Sequence, residues 1–328
     1  MRKEVYIDTR WEGAGGIGTF TREIQKINNY KSYEFHGNPA SPLDTLRTSF
    51  SLFREKDILI LFPGYIPPLL TSVPFVFTIH DLNHLDRVEN SSFLKRLFYN
   101  TVIKYGCKRA EYIFTVSDFS KQRIISWANI SSDKVINVGN GVSMEYTPTG
   151  DMIGFDFDFI LCVSNRKGHK NEYGTLEAFK KAMLDKKIKL VFTGDKDENI
   201  SKKIYELGLE DRVVFTGFLP DIELPKLYRS AKALIFVSFY EGFGLPVIEA
   251  QASGIPVITS KGSSLGEVAS EGALLVEPTD IDEISKAITT VFKDNKLSSE
   301  LVQKGFENVK RYTWEKTALL VEEYLSKI

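Results

Sequence analysis

Residues Ala233 to Ser260 read ALIFVSFYEGFGLPVIEAQASGIPVITS. ALIFVS is an unbroken apolar run of the kind found in a strand covered on both faces, which is the signature of a parallel sheet rather than of a half-solvated antiparallel one. The segment from Phe239 to Gly244 is a glycine-rich turn. Pro246 then suits the first turn of a helix, where its missing N–H costs nothing. PVITS, from Pro256, is a second buried strand. Two apolar strands joined by a helix are parallel neighbours, and this crossover unit predicts the α/β class.

The alternation extends in both directions. Upstream lie DFILCVS from Asp158, a helical pattern over 171–184, KLVFTG from Lys189, a helix over 200–207, VVFTGF from Val213 and a helix over 222–230. Downstream come ALLVEP from Ala273 and three helical segments, the last over 314–328 with Trp314, Ala318, Val321 and Leu325 along one stripe. Such repetition predicts a doubly wound parallel sheet. The first half shows five more strand-like runs: VYID from Val5, DILILF from Asp57, PFVFTIHD from Pro74, YIFTVS from Tyr112 and KVINVGNG from Lys134. A helix over 91–110 has the length of a crossover, whereas 28–54 has no clear period. The cluster YTPTGD from Tyr146 reads as a linker. The expected division is 1–149, 150–312 and a closing helix 313–328 that returns to the first domain, with a cleft between the two sheets.

Bulk properties narrow the classes. A chain of 328 residues exceeds what one core usually supports. Hydrophobic residues at 43% and charged residues at 26% are those of an ordinary globular protein, and no run approaches the roughly 18 apolar residues of a membrane span. The opening MRKEVYIDTR enters a strand pattern and lacks the apolar core of a signal peptide, so a cytoplasmic location is expected. A net charge of −1 leaves no basic footprint for nucleic acid, although the first half is mildly basic and the second mildly acidic. Cys107 and Cys162 have no metal-ligand spacing and read as core residues.

The segment from Phe239 to Glu249 carries the chemistry. A strand's C-terminal end feeding a helix N-terminus is a ready phosphate site, because Gly242 and Gly244 allow close backbone approach and free N–H groups face the anion. Glu241 and Glu249 add carboxylates that accept hydrogen bonds from sugar hydroxyls. Either glutamate alone is as well explained by the helix dipole or by solvation. The full arrangement favours a ligand.

Here the chain resembles the glycosyltransferases of family 4, whose donor site has two glutamates separated by seven residues. Similar motifs run along nearly the whole chain: Gly15-Gly16-Ile17-Gly18, His80-Asp81, Val116-Ser117 with Ser120-Lys121, Asn140-Gly141, the stretch from Asn165 to Asn171, Phe215-Thr-Gly217-Phe218, Ala252-Ser-Gly254-Ile-Pro256-Val257 and Leu265-Gly-Glu267-Val268. Their order is that of bacterial surface-polysaccharide enzymes of the O-antigen type, many of them mannosyltransferases. The resemblance implies a GT-B fold of two Rossmann-like domains, nucleotide sugar in the second and acceptor in the first.

It also implies roles. Glu241 would meet the donor sugar, Glu249 the ribose, and Arg166 and Lys170 the diphosphate, which gains charge as the bond to the sugar breaks. Ser238, Gly242, Phe243, Gly244, Leu245, Gly217, Phe218 and Gly16 would complete the donor site, His80 and Asp81 would face the sugar, and Gly15 and Gly18 would approach the acceptor. Many relatives have an arginine where this chain has Val163-Ser164, which ranks Arg166 below Lys170. Arg166 also lies in a glycine-containing loop, whereas Lys170 precedes Asn171, the expected N-cap of the 171–184 helix.

The expected reaction is retaining transfer of a hexose from a nucleotide sugar, GDP-mannose by resemblance, to a glycan or lipid-linked acceptor, with no cofactor and no metal. A lipid-linked acceptor would add weak peripheral contact with the inner face of the membrane. Lys95, Arg96, Lys104, Lys108 and Arg109 nevertheless scatter around the 91–110 helix instead of forming one stripe.

Three rival readings also fit parts of the sequence. Gly13-Ala-Gly15-Gly-Ile-Gly18 fits the dinucleotide fingerprint of an NAD-dependent oxidoreductase or epimerase, but Asp8 to Glu12 separate it from the strand. Asp156-Phe-Asp158, Asp195-Lys-Asp197 and Asp280-Ile-Asp282 each match the D-x-D of metal-dependent transferases, and three matches in one chain show how permissive that pattern is. A non-catalytic sugar-nucleotide binder would have lost donor residues that are present here.

Overall fold

The computed structural model describes residues 3–13 and 15–328; Met1, Arg2 and Ala14, the last within the predicted glycine loop, lie outside the described residues. Contacts divide the chain into two compact units, Met1–Gly141 with Thr313–Ile328, and Val142–Tyr312. Residues 142–149, expected with the first domain, group with the second.

The first unit opens with β1 (Glu4–Ile7), α1 (Gly15–Asn28), β2 (Lys31–Ser32), α2 (Asp44–Ser51), β3 (Ile58–Phe62) and β4 (Phe75–Thr78). The short α3 (Asn83–Asp86) follows. Then α4 (Phe93–Phe98), a π-helical turn (Tyr99–Ile103) and α5 (Lys104–Arg109) occupy the expected 91–110 helix. The set closes with β5 (Ile113–Thr115), α6 (Asp118–Ala128) and β6 (Val135–Asn137). Its described strands are parallel in the order β2-β1-β3-β4-β5-β6. β3 is buried along its whole length, as its unbroken ILILF run requires. Phe35, Phe62, Phe75, Phe77, Tyr99 and Ile113 belong to its core.

The second unit runs β7 (Phe159–Cys162), α7 (Glu172–Lys181), β8 (Lys189–Phe192), α8 (Glu198–Leu207), β9 (Val213–Phe215), α9 (Leu224–Ser230), β10 (Ala233–Phe236), α10 (Leu245–Ala252), β11 (Val257–Ser260), α11 (Leu265–Ala269), β12 (Leu274–Val276), α12 (Ile281–Lys293) and α13 (Asn295–Val309). Its parallel order is β12-β11-β10-β7-β8-β9. The chain winds outward from β7 through β8 and β9, then returns to β10 on the other side of β7. That reversal is a topological switch point, where the two neighbouring loops diverge and leave a crevice at the carboxyl edge.

The last helix, α14 (Trp314–Leu325), belongs to the first unit and packs on α1. Its predicted stripe is buried: Trp314, Ala318, Val321 and Leu325 are at most 4% exposed. Trp314 meets Phe20 of α1 edge-to-face at 6.4 Å, and Asn28 donates to the Ala318 carbonyl at 3.0 Å. Burying each of the large side chains contributes about 1.5–3 kcal/mol. Gly141 is required where this helix begins, because a Cβ there would stand 2.1 Å from the Trp314 backbone nitrogen. The two-sheet α/β architecture and the returning helix are therefore those expected.

Candidate active site

Lys170 and Glu241 meet at the switch point of the second sheet. Lys170 ends the loop after β7 and Glu241 lies in the turn after β10; Lys170 Nζ donates to Glu241 Oε1 at 2.8 Å, with the ammonium 4.9 Å from the centre of the Phe236 ring. Both side chains are mostly covered, at 16% and 13% exposure. The Phe239 N–H donates to the His169 carbonyl, tying the two loops together.

Ser263 and Ser264 hold the turn from below. The Glu241 N–H donates to Ser263 Oγ, and Ser264 Oγ donates to the carbonyls of Glu241 and Phe243 at 2.9 and 3.0 Å. Gly244 has φ +102°, and a Cβ there would stand 2.5 Å from Leu265 Cδ2, so two constraints demand glycine. Pro246 lies in the first turn of α10, as predicted. Phe243 is 5% exposed and meets Tyr312 edge-to-face at 5.4 Å, so its ring is a packing group. Ser238 is fully buried; its carbonyl accepts from Ser260, while its hydroxyl has no partner among the described residues. Leu245 is partly exposed, and Gly242 is buried in the turn. Gly217, at φ +66°, bridges to Gly194 beside the β7 loop, and the adjacent Phe218 is 86% exposed.

Arg166 differs from the mobile loop residue expected of it. Its backbone is left-handed at φ 61°, and its guanidinium is fully engaged. It pairs with Glu172, donates to the carbonyls of Thr193 and Asp195, and lies over the rings of Phe192 and Phe215 at 5.2 and 5.0 Å. Asn171 is a second correction. It stands at the N-cap of α7 but is left-handed, and its amide caps nothing; Nδ2 donates instead to the carbonyls of Val237 and Pro278. α7 is thereby anchored to the end of β10 rather than by a side-chain cap.

Glu249, in the second turn of α10, accepts the Tyr228 hydroxyl at 2.7 Å and that of Tyr146. Burial pushes its carboxyl up to about 7, and the two phenols pull in the opposite direction. A carboxyl raised in this way favours the folded state below its unfolded value near 4.5 and loses that contribution as pH rises through about 7.

The carboxyl edge of the first sheet holds the other predicted residues. His80 follows β4, with Nε2 2.9 Å from the Pro63 carbonyl and its ring edge-on to Phe20 at 5.3 Å. Burial holds its pKa down at about 4, so at neutral pH the imidazole is uncharged; Nε2–H donates to Pro63 and Nδ1 is the acceptor. Asp81 accepts the Asn83 N–H at the start of α3. Gly18 has a packing reason, because a Cβ would come within 2.9 Å of the Trp11 carbonyl, whereas Gly15 and Gly16 face open space.

The D-x-D candidates have other duties. Asp197 caps α8 and Asp280 caps α12, while Asp158 pairs with Lys232 on the surface. Among the described residues no group of three histidine, cysteine or acidic side chains converges. A cavity of about 480 Å³ lined by Lys3, Glu111, Lys134 and Lys327 lies at the opposite, N-terminal edge of the first sheet.

Tyr146, Tyr228, Ser264 and Glu172 were not foreseen.

Comparison with known proteins agrees with the two-sheet fold. The domain family "Glycosyl transferases group 1" matches residues 155–308, and "Glycosyltransferase Family 4" matches 28–146. The chain is 28% identical to the O-antigen chain mannosyltransferase B of Escherichia coli over 90% of its own length and 74% of that protein's. It is 26% identical to the serotype-specific mannosyltransferase WbdA of Escherichia coli over 83% of its length, spanning 36% of that larger protein. Among solved structures, Anabaena Alr3699/HepE in complex with UDP and glucose superimposes with a TM-score of 0.80 at 18% identity, covering all of both chains.

Proposed function

We propose that this chain, which belongs to the glycosyltransferases built from group 1 and family 4 domains, transfers mannose from GDP-mannose to a glycan or lipid-linked acceptor in surface-polysaccharide synthesis. The Lys170–Glu241 pair at the switch point carries the reading. It sets a cation and an acceptor carboxylate side by side, which suits a sugar diphosphate: Lys170 and the N–H groups opening α10 take the phosphates, and Glu241 takes sugar hydroxyls. The mannosyltransferase names of the relatives favour mannose; the UDP in the Anabaena protein belongs to a structure alike in fold alone. The second unit accordingly takes the donor and the first the acceptor, with His80 Nδ1 as an acceptor for a sugar hydroxyl.

In the retaining course proposed, the bond from C1 to the phosphate oxygen breaks, the acceptor oxygen bonds to C1 on the same face, and the acceptor's proton passes to the departing phosphate. Asp81 is the alternative nucleophile, although its carboxylate already accepts the Asn83 N–H. The oxidoreductase alternative has no support from the relatives.

Thermal shift with GDP-, UDP-, ADP- and dTDP-sugars tests the donor. GDP-mannose at 100 times its Kd should stabilise the protein by about 2.7 kcal/mol. Stabilisation by a UDP-sugar with none by GDP-mannose would remove the mannose assignment. Transfer should also persist in EDTA, since Lys170 supplies charge that a metal provides elsewhere; loss of activity restored by manganese or magnesium overturns this.

Membrane contact is a finer part of the reading. No described helix is long and apolar enough to cross a membrane. On α4, however, Phe93, Leu94 and Leu97 are 79%, 73% and 49% exposed beside exposed Lys95 and Arg96. Apolar and cationic side chains together fit an anionic lipid surface. The protein should co-sediment with vesicles containing phosphatidylglycerol, and Phe93→Ser with Leu94→Ser should reduce the bound fraction. Failure of the wild type to sediment ends that part of the reading.

A further inference from the structure

We propose that Tyr228 and Tyr146 are positioning residues that orient Glu249 toward the ribose of the donor, an inference that rests on the reading of Glu249 as the nucleoside-binding glutamate. Tyr228, on α9, is completely buried, and its hydroxyl donates to Glu249 Oε2 at 2.7 Å. Tyr146 lies in the segment that enters the second unit. Its ring meets that of Tyr228 edge-to-face at 5.5 Å and 76°, and its hydroxyl also reaches Glu249. Packing alone needs no hydroxyl at either place; phenylalanine would fill the same volume without a polar group to satisfy.

The two phenols solve a problem set by α10. This helix must bury its inner face against the sheet, and Val247, Ile248 and Ala250 do so completely, which leaves Glu249 beside them half-buried. A carboxylate there needs donors to stay ionised. It has about four lone-pair positions on two oxygens. The phenols occupy part of that capacity and fix the plane of the group, and the remainder can accept from two adjacent hydroxyls. A protonated carboxyl would lose that symmetry, because one oxygen becomes a donor. The groups facing Glu249 are Tyr228 of α9, Tyr146 of the entering segment and, more distantly, Asp221 in the turn before α9, whose charge also disfavours ionisation. Loss of either phenol therefore raises the pH needed for a carboxylate from its present value of about 7.

The test is a double-mutant cycle with one confirmed nucleotide sugar, measuring donor KM and kcat from pH 6 to 9. Tyr228→Phe should raise donor KM about tenfold at pH 7, the equivalent of one charge-assisted hydrogen bond, with a smaller change in kcat. The acid limb of kcat/KM should move to higher pH. Tyr146→Phe, at a less buried ring, should act in the same direction. In the Tyr228→Phe, Glu249→Ala double variant the KM should equal that of Glu249→Ala alone, because a residue that acts through Glu249 has nothing left to orient. Multiplicative effects, or an unmoved acid limb in Tyr228→Phe, overturn the proposal. If Glu249→Ala itself leaves donor KM unchanged, the nucleoside role of Glu249 fails, and the positioning role fails with it for that separate reason.

Discussion

Glu241→Ala should lower kcat by at least about 10²–10³, to the edge of detection, while the thermal midpoint changes little. The first part follows from where the carboxylate stands, beside Lys170 at the crevice between β7 and β10, where a group that meets developing charge or a reacting sugar is worth roughly what a preorganised oxyanion donor is worth. The second follows from how the turn is held. Ser263 and Ser264 grip it through the backbone N–H and carbonyl of Glu241, which substitution leaves in place. Lys170 loses its partner but keeps some access to water and can swing its head outward. Steady-state transfer and a melting curve on the same preparation decide the matter. Near-normal kcat would take Glu241 out of the site, and a large fall in the midpoint would show that the pair is needed for folding instead.

Lys170→Ala should likewise reduce kcat by about 10² or more, and Arg166→Ala should behave differently. The sequence ranked Lys170 above Arg166 because many relatives have an arginine where this chain has Val163-Ser164 and because the loop around Arg166 contains a glycine. The structure suggests a different division of labour between the two. Arg166 is firmly anchored, stacked on Phe192 and Phe215 and paired with Glu172, whose side chain is 9% exposed. Truncating it leaves Glu172 buried without its counter-charge, a defect that typically costs about 3–5 kcal/mol. Arg166→Ala is therefore expected to lower the melting midpoint by several degrees, and Lys170→Ala to lower turnover in a protein of near-normal stability. Measuring kcat, donor KM and the midpoint for both separates the two effects. If Arg166→Ala is stable and the more damaging to kcat, the diphosphate lies nearer β8 than proposed.

The second sheet was legible in the sequence because buried parallel strands appear as continuous runs such as ALIF and FILC, which need no knowledge of their neighbours. The region 28–54 was not. There β2 is an exposed two-residue edge strand, and in α2 Leu46 and Phe50 point outward while Thr45 and Thr48 are buried, reversing the usual pattern. The short α11 was also missed, since five residues give too little period to read. At the site, Glu241 and Glu249 could be nominated from local spacing, and Lys170 from the family resemblance. Their supports could not, because Tyr228 lies 21 residues from Glu249 and Lys170 lies 71 from Glu241, separations that only the folded sheet closes. Asn171 shows the converse. A residue with the right chemistry for a helix cap was placed there, but its partners, Val237 and Pro278, arrive from 66 and 107 residues away.

The discontinuous first unit bears on the order of biosynthesis. Val142–Tyr312 is one uninterrupted stretch, so all of its strands are synthesised before Trp314 is added. The second unit needs no residue made later. The first unit stays incomplete, because the surface of α1 around Phe20 waits for a helix translated about 300 residues later. Until then the nascent chain carries a greasy strip in open water, a place for a chaperone to bind and for a neighbouring chain to stick. The final dozen residues of α14 thus act as the clasp that ends the vulnerable interval, and a frameshift or early stop near position 313 would strand the protein on the wrong side of it.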